Sequence, residues 1–441
     1  MTPSRLAGLS LAPFRALRYS VPNARLGDLL CPPYDVISDA ERQRLLQVDP
    51  DNAVSVVLPV EPSAHERADA FAGAAADPVA AERAYTGAAE RIQRWIDVGL
   101  ARTDPGAALY VYEMQPIHAS ATRGLIGAVE LRPAEDGVIL PHENTMAGPV
   151  ADRLALMSAT DANLEPIYLV YDGGGAASQL VSDIEQNALG AALAHTQTAD
   201  GTTHRLWSIS DASTLAAVAE DLNSRRALIA DGHHRYATYL ELQRRRREAA
   251  GAGPWDRGLA LLVDSSTYGP QVHAIHRLLT TMALSTAVEL AGQRAKITEV
   301  ADPWTGLTLA QAMTPEHFVV VLTDGNRSVL LSEPASDLTT GLLQPGEPAA
   351  LGSLDVTVLH RGLVGRMWQL EDDVSAVGYA HSVDEAIALA QAAGGTAVLM
   401  RPTPVVAVTA IAAAGARMPR KSTLFTPKPA SGLLMRRFAD Q

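Results

Sequence analysis

Several stretches of this chain place acids, bases and cations where backbone geometry would aim them at one ligand. The first is Arg226-Ala-Leu-Ile-Ala-Asp-Gly-His-His-Arg-Tyr-Ala-Thr238. Ala227 to Ala230 reads as a short buried strand and Asp231-Gly232 as a sharp turn, because glycine tolerates positive φ. From His234 the pattern is helical, closed by the cations Arg244 to Arg247. A strand that hands over to a helix points first-turn N–H groups and the positive dipole end at one spot. Asp231, Gly232, His233, His234 and Arg235 are therefore a candidate phosphate cradle, with Arg235 able to grip in bidentate fashion. Adjacent histidines diverge on a helix, so His233 and His234 do not read as a zinc pair.

Three further blocks carry chemistry. Cys31-Pro-Pro-Tyr-Asp35 holds Tyr34 and Asp35 on a rigid double-proline platform. Pro141-His142-Glu143 puts an acid and an imidazole at a strand end, and Asp152-Arg153 follows at the next helix start. A carboxylate in such a place serves as a general base or a metal ligand, which makes Glu143 and Asp35 the candidate bases. In the tail, Arg417, Arg420, Lys421 and Lys428 gather beside the hydroxyls of Ser422 and Thr423, in a segment fixed by prolines. Cations, hydroxyls and a stiff backbone are what a phosphate-binding loop needs.

These blocks need elements to position them. Strands are expected at 52–58, 109–113, 122–132, 166–171, 204–208 and 258–263, from short apolar or alternating runs. Helices are expected from Ser38, as N-cap, to about 49, and over 81–98, 179–193, 215–223, 384–393 and 405–414. Gln271 to Arg277 reads as a loop presenting His276 and Arg277. The run Asp172-Gly-Gly-Gly175 is no P-loop, since no Lys-Ser/Thr follows. From about residue 283 helix and strand alternate again, which points to a second lobe. The expected division is a phosphate-binding core over 1–282 and an α/β lobe over 283–441, with the tail 415–433 returning to the core's site.

With 441 residues, 47% of them hydrophobic, the chain has ample material for two cores. The lone Cys31 fits a reducing cytoplasm, and no charged-then-apolar leader is evident, so a soluble cytoplasmic protein is expected. The longest small-apolar run, 405–416, is short of the roughly 20 residues a bilayer crossing needs, so no membrane partner is expected. A formal charge of −13 argues against nucleic acid as a partner while leaving room for a local basic pocket. A homodimer is compatible with the composition.

Taken together, Pro32-Pro33-Tyr34-Asp35, Pro141-His142-Glu143, Asp152-Arg153, Ala230 to Tyr236, His276-Arg277 and Met418 to Leu433 resemble domain-of-unknown-function family 1015 (DUF1015) along nearly the whole chain. Ala274-Ile275 stands where that family usually has Pro-Thr, and Ala151 where a lysine is expected. The Asp-Gly-His-His-Arg block also resembles the ParB/sulfiredoxin superfamily, whose strand–turn–helix motif holds nucleotide phosphates, and comes nearest to its free L-serine kinases. The resemblance implies a mixed α/β (α+β) fold with a ParB/sulfiredoxin-like core, inserted segments and a second C-terminal α/β lobe. It implies a kinase that phosphorylates the hydroxyl of a small metabolite, free L-serine, with ATP, ADP or pyrophosphate as donor. In that reading Glu143 or Asp35 takes the acceptor's proton, and His233, His234, Arg235 and the first-turn N–H groups cradle the donor. Mg²⁺ would bridge phosphate and carboxylates, with Asp231 and Glu143 as candidate ligands. Arg420 and Lys421, beside Ser422 and Thr423, would neutralise the transferred group. The alternative is a ParB-like nucleotide switch or DNA-partition protein without kinase activity, which the net charge and the lack of a helix-turn-helix segment oppose.

Overall fold

The computed structural model describes residues 8–59, 78–183, 190–314, 317–373, 375–419 and 421–441. The chain divides into two compact units, both mixed α/β. Residues 1–141, 145–270 and 427–441 form the first, and 142–144 with 271–426 the second. The division falls at 270/271, not at 282/283, because His276–Leu279 pairs with Val377–Ala380 and Thr396–Leu399 inside the second unit. Residues 427–441 belong to the first unit, where Ser431 and Cys31 exchange backbone hydrogen bonds (3.2 and 2.8 Å).

The first unit is built on a nine-stranded sheet. From one edge it runs Ile139–Leu140, Ala227–Asp231, Ile167–Tyr171, Arg257–Asp264, Thr122–Glu130, Leu109–Gln115, Thr203–Ile209 and Ala194–Gln197, with Leu11–Ala12 added on Thr122–Glu130. Two of its pairings are parallel: Ala227–Asp231 on Ile139–Leu140, and Arg257–Asp264 on Ile167–Tyr171. The strand Ala227–Asp231 is buried until its last residue, which explains its unbroken apolar run. Helix His233–Ala250 lays Tyr236, Tyr239 and Leu242 on the core, at the three-residue spacing that shares one helix face. Tyr239 lies so close over Gly258 that a Cβ there would stand 2.3 Å from its ring. The opposite face carries Arg244 and Arg245 paired with Glu241.

The second unit holds a six-stranded antiparallel sheet in the order Lys296–Val300, Ser328–Ser332, Val319–Thr323, Thr396–Leu399, His276–Leu279, Val377–Ala380. Among the described residues no helix is long and apolar enough to cross a membrane.

Three expected elements differ. Residues expected as a strand at 52–58 contain the helix Val54–Val57, started by the Asn52 side chain, which accepts the Val54 N–H (2.8 Å) and donates to the carbonyls of Asp28 and Leu30. A fully buried Val-Ser-Val-Val run has no polar face, so its periodicity cannot tell strand from helix. The helix expected at 179–193 is Gly175–Ser182 instead, begun early because the Asp221 carboxylate accepts the Ala177 N–H (2.9 Å); residues 184–189 lie outside the described residues. The loop expected at 271–277 is two strands, Gln271–His273 and His276–Leu279, the first paired with Leu424–Thr426.

His204, on Thr203–Ile209, is buried, with Nδ1 bonded to the Tyr112 hydroxyl (2.8 Å) and Nε2 to Thr198 Oγ1 (3.1 Å). Burial lowers its pKa from 6.5 to about 4, against the pull of Asp200. A group depressed in the folded state contributes stability that is present above 6.5 and lost as pH falls toward 4. The first unit should therefore lose about 2 kcal/mol between pH 7 and pH 5 through this histidine. Denaturant melts at both pH values check this. A His204→Gln variant should show a correspondingly smaller loss.

Candidate functional site

The six sequence blocks supply two clusters, one in each unit, with the tail block divided between them. In the first unit, Asp231 ends its strand and Gly232 turns the chain at φ +92°, opening the helix at His233. Two features favour glycine at that point. The φ is left-handed, and a Cβ would press to 3.2 Å on the Arg235 guanidinium folded beneath it. The first-turn N–H groups are directed along the helix axis, away from its body. His233 is buried, and His234 Nε2 accepts the Met146 N–H (3.2 Å), which places the proton of the neutral ring on Nδ1.

Asp231 is held from both sides. Its Oδ2 accepts from Arg235 (2.5 Å), and its Oδ1 accepts from Lys428. Arg235 is only 3% exposed and also donates to the Pro166 carbonyl. Burial works against its charge, but Asp231, Glu165 and Asp35 outweigh that and raise its pKa above the ordinary arginine value. The expected bidentate grip of Arg235 on phosphate does not fit this geometry, because the guanidinium faces inward and is already paired. Its role is to fix the turn.

Behind Arg235 sits Glu165, a buried carboxylate that accepts the Tyr34 N–H (3.0 Å) and the Ser431 hydroxyl (2.8 Å). Burial raises its pKa, although Arg235 and Arg153 pull the other way. Arg153 stacks over the Tyr34 ring at 4.1 Å and donates to Asp152 Oδ2 (2.7 Å), whose other oxygen takes the Tyr85 hydroxyl. The Pro-Pro-Tyr-Asp, Asp-Arg and Asp-Gly-His-His-Arg blocks thus converge through one buried acid. Asp35 is exposed, on the short turn Tyr34–Val36, and its charge acts on both Arg235 and Lys428.

The second unit gathers the remaining blocks. His142 Nε2 is bonded to Thr423 Oγ1 (2.9 Å), and its carbonyl accepts the Met418 N–H (2.8 Å). Arg277 is 1% exposed and donates to His360 Nε2 (2.8 Å), to the Ile275 carbonyl (2.6 Å) and to the Lys421 carbonyl (3.0 Å). Burial lowers its pKa to about 10, against Tyr379, Asp372 and Glu143. His360 Nδ1 meets Asp372 Oδ1 (2.8 Å). With Nε2 accepting from Arg277, this Asp–His pair holds the arginine and is not arranged to take a substrate proton. The pair borders a cavity of about 580 Å³ that Glu347, Arg361 and Tyr379 also line.

Several expected contacts take other roles here. The Ser422 hydroxyl donates to the Pro419 carbonyl (2.5 Å) and Thr423 is engaged with His142, so both hydroxyls fold the loop instead of facing a phosphate. Lys421 sits at φ +53° with its carbonyl on Arg277; Arg420 lies outside the described residues. Mg²⁺ does not fit Asp231, because both carboxylate oxygens hold cations. Among the described residues no three His, Cys, Asp or Glu side chains cluster as a metal site.

A profile described as "protein of unknown function (DUF1015)" matches residues 11–357. The chain belongs to this family. No curated protein matches it in sequence. Among solved structures it is similar to a conserved hypothetical protein from Pyrococcus furiosus, at 14% identity over 66% of this chain and 88% of that one, with a TM-score of 0.31. It is also similar to a free serine kinase in complex with AMP, at 12% identity over 71% and 90% of the two chains, with a TM-score of 0.34. A third is SbnI with C-terminal truncation from Staphylococcus aureus, at 11% identity over 69% and 85%, with a TM-score of 0.34.

One member of the first cluster was not expected from the sequence of this DUF1015 chain. Glu165 left a signal, an acid inside the otherwise apolar run Leu164-Glu-Pro-Ile167. His360, in the second cluster, reads in the sequence as a packing or capping residue, and its partners lie 83 residues back and 12 residues on.

Replacing Asp231 by Asn should destabilise the protein by about 3–5 kcal/mol, the cost of leaving a buried cation without its partner. If Asp231 were only a turn residue, denaturant melts would show a loss below about 1 kcal/mol.

Proposed function

We propose that this protein is a phosphotransferase that phosphorylates the hydroxyl of a small metabolite, free L-serine, using ATP, ADP or pyrophosphate. The observation that carries the reading is the strand–turn–helix junction at Asp231–His234, where a left-handed glycine opens an 18-residue helix beside a carboxylate clamped by two cations. Such a junction suits phosphate through its N–H groups and its dipole. The likeness of Asp231-Gly-His-His-Arg235 to serine-kinase sequences supports the choice of acceptor.

In this mechanism the donor's phosphates rest on the first-turn N–H groups, flanked by His233 and His234. Asp35 is the base, because it is exposed on a proline-fixed turn and shares the electrostatic field of the same cluster. As the serine oxygen bonds to the terminal phosphorus, its proton passes to Asp35. The bond from that phosphorus to the bridging oxygen breaks, and the shortened donor leaves with the electron pair. Asp231, Arg235 and Glu165 touch neither reactant; they hold the turn in place.

Phosphorus NMR of the purified protein with L-serine and each donor in turn should show a growing phosphomonoester resonance. Its absence with all three donors contradicts the proposal. Asp35→Asn should lower turnover by about 10²–10⁴-fold, the usual effect of losing a general base, while leaving donor affinity nearly intact.

A further inference from the structure

This chain uses arginine for almost every cation. Lysine occurs only three times, at 296, 421 and 428, among 36 Lys and Arg residues. Lys296 is a surface residue, 59% exposed and paired with Glu333. Lys428 is different: its side chain is 17% exposed, and it reaches across 197 residues of sequence to Asp231 Oδ1. The two cations on Asp231 are not equivalent. Arg235 is sealed inside, and Lys428 retains access to solvent. An ammonium has three N–H donors, and Asp231 takes one of Lys428's. Asp231 also keeps Arg235 whatever happens at Lys428, so charge balance alone does not require the lysine. A compact ammonium on a flexible stem suits a tetrahedral anion approached from one side, where a guanidinium fork would fix a plane.

We propose that Lys428 is a phosphate-contacting residue of the Asp231–His234 junction, and that Asp231 is the positioning residue that aims its ammonium at the donor. The inference rests on the phosphotransferase reading for the identity of the anion. The Asp231–Lys428 hydrogen bond fixes one N–H, and the remaining two donate to oxygens of the bound phosphate. Burial disfavours the Lys428 charge, but Asp231 and Asp35 outweigh it, so the residue is an ammonium at neutral pH. The tail segment that carries it is anchored next to the junction through Ser431, which donates to Glu165 and pairs with Cys31.

With three lysines, full-length protein labelled at the lysine side chain gives three assignable signals. Adding pyrophosphate or ADP should shift the Lys428 Cε/Nζ signal and leave that of Lys296 in place. In calorimetry with the same ligands, Lys428→Met should weaken binding by about ten- to a hundredfold, and Lys428→Arg should recover part of the loss. The thermal midpoint of Lys428→Met should stay near that of the wild type, since Asp231 retains Arg235. A wild-type protein that binds neither ligand overturns the phosphotransferase reading and this inference together. Binding that survives Lys428→Met, or a shift at Lys421 with none at Lys428, overturns this inference alone. If Lys428→Met lowers the midpoint sharply, the lysine-shift experiment on the wild-type protein decides by itself.

Discussion

The first unit's site depends on how Asp231 is held. One carboxylate at the end of a buried strand accepts from Arg235 on the inside and Lys428 on the outside. Buried charges are costly unless paired, so this arrangement constrains everything around it. The Arg235 guanidinium lies under the turn, where a Cβ at 232 would press on it at 3.2 Å, and the left-handed φ at that position favours glycine. Glycine there in turn allows the left-handed step that starts the helix at His233. The start of that helix is thus tied to an interior ion pair.

The same logic extends one layer back. Arg235 and Arg153 share the buried Glu165, which is also the anchor for the Tyr34 N–H and the Ser431 hydroxyl. Four segments distant in sequence are registered against a single acid. Because that acid is satisfied by groups from each, a change in any one segment is felt by the others. Chemistry proposed for Asp35 relies on this, since its turn is tied down through the neighbouring Tyr34.

Local features were the legible ones. The Asp231-Gly232 turn, the helix after it and the strand before it follow from an apolar run, a turn dipeptide and helical spacing, all within a few residues. Ser38 caps its helix as its capping-box spacing implies, accepting the Glu41 N–H (3.1 Å). Long-range choices were not legible. The inward direction of Arg235 is decided by the Pro166 carbonyl and Glu165, some 70 residues away. The tail reads as one basic loop, yet residues up to 426 join the second unit and those from 427 the first, because Leu424–Thr426 pairs with Gln271–His273 while Ser431 pairs with Cys31. Val54–Val57 misled for a different reason, since complete burial erased its periodicity.

The central claim is that a phosphate-bearing donor binds where strand 227–231, helix 233–250 and the tail around Lys428 meet. Hydrogen exchange followed by mass spectrometry, with and without saturating ADP or pyrophosphate, tests it most directly. The account predicts that ligand slows exchange in peptides covering 228–238 and 427–433 together, since both segments form one site. Protection confined to peptides of the second unit, or ligand binding with no change at either first-unit segment, would contradict it.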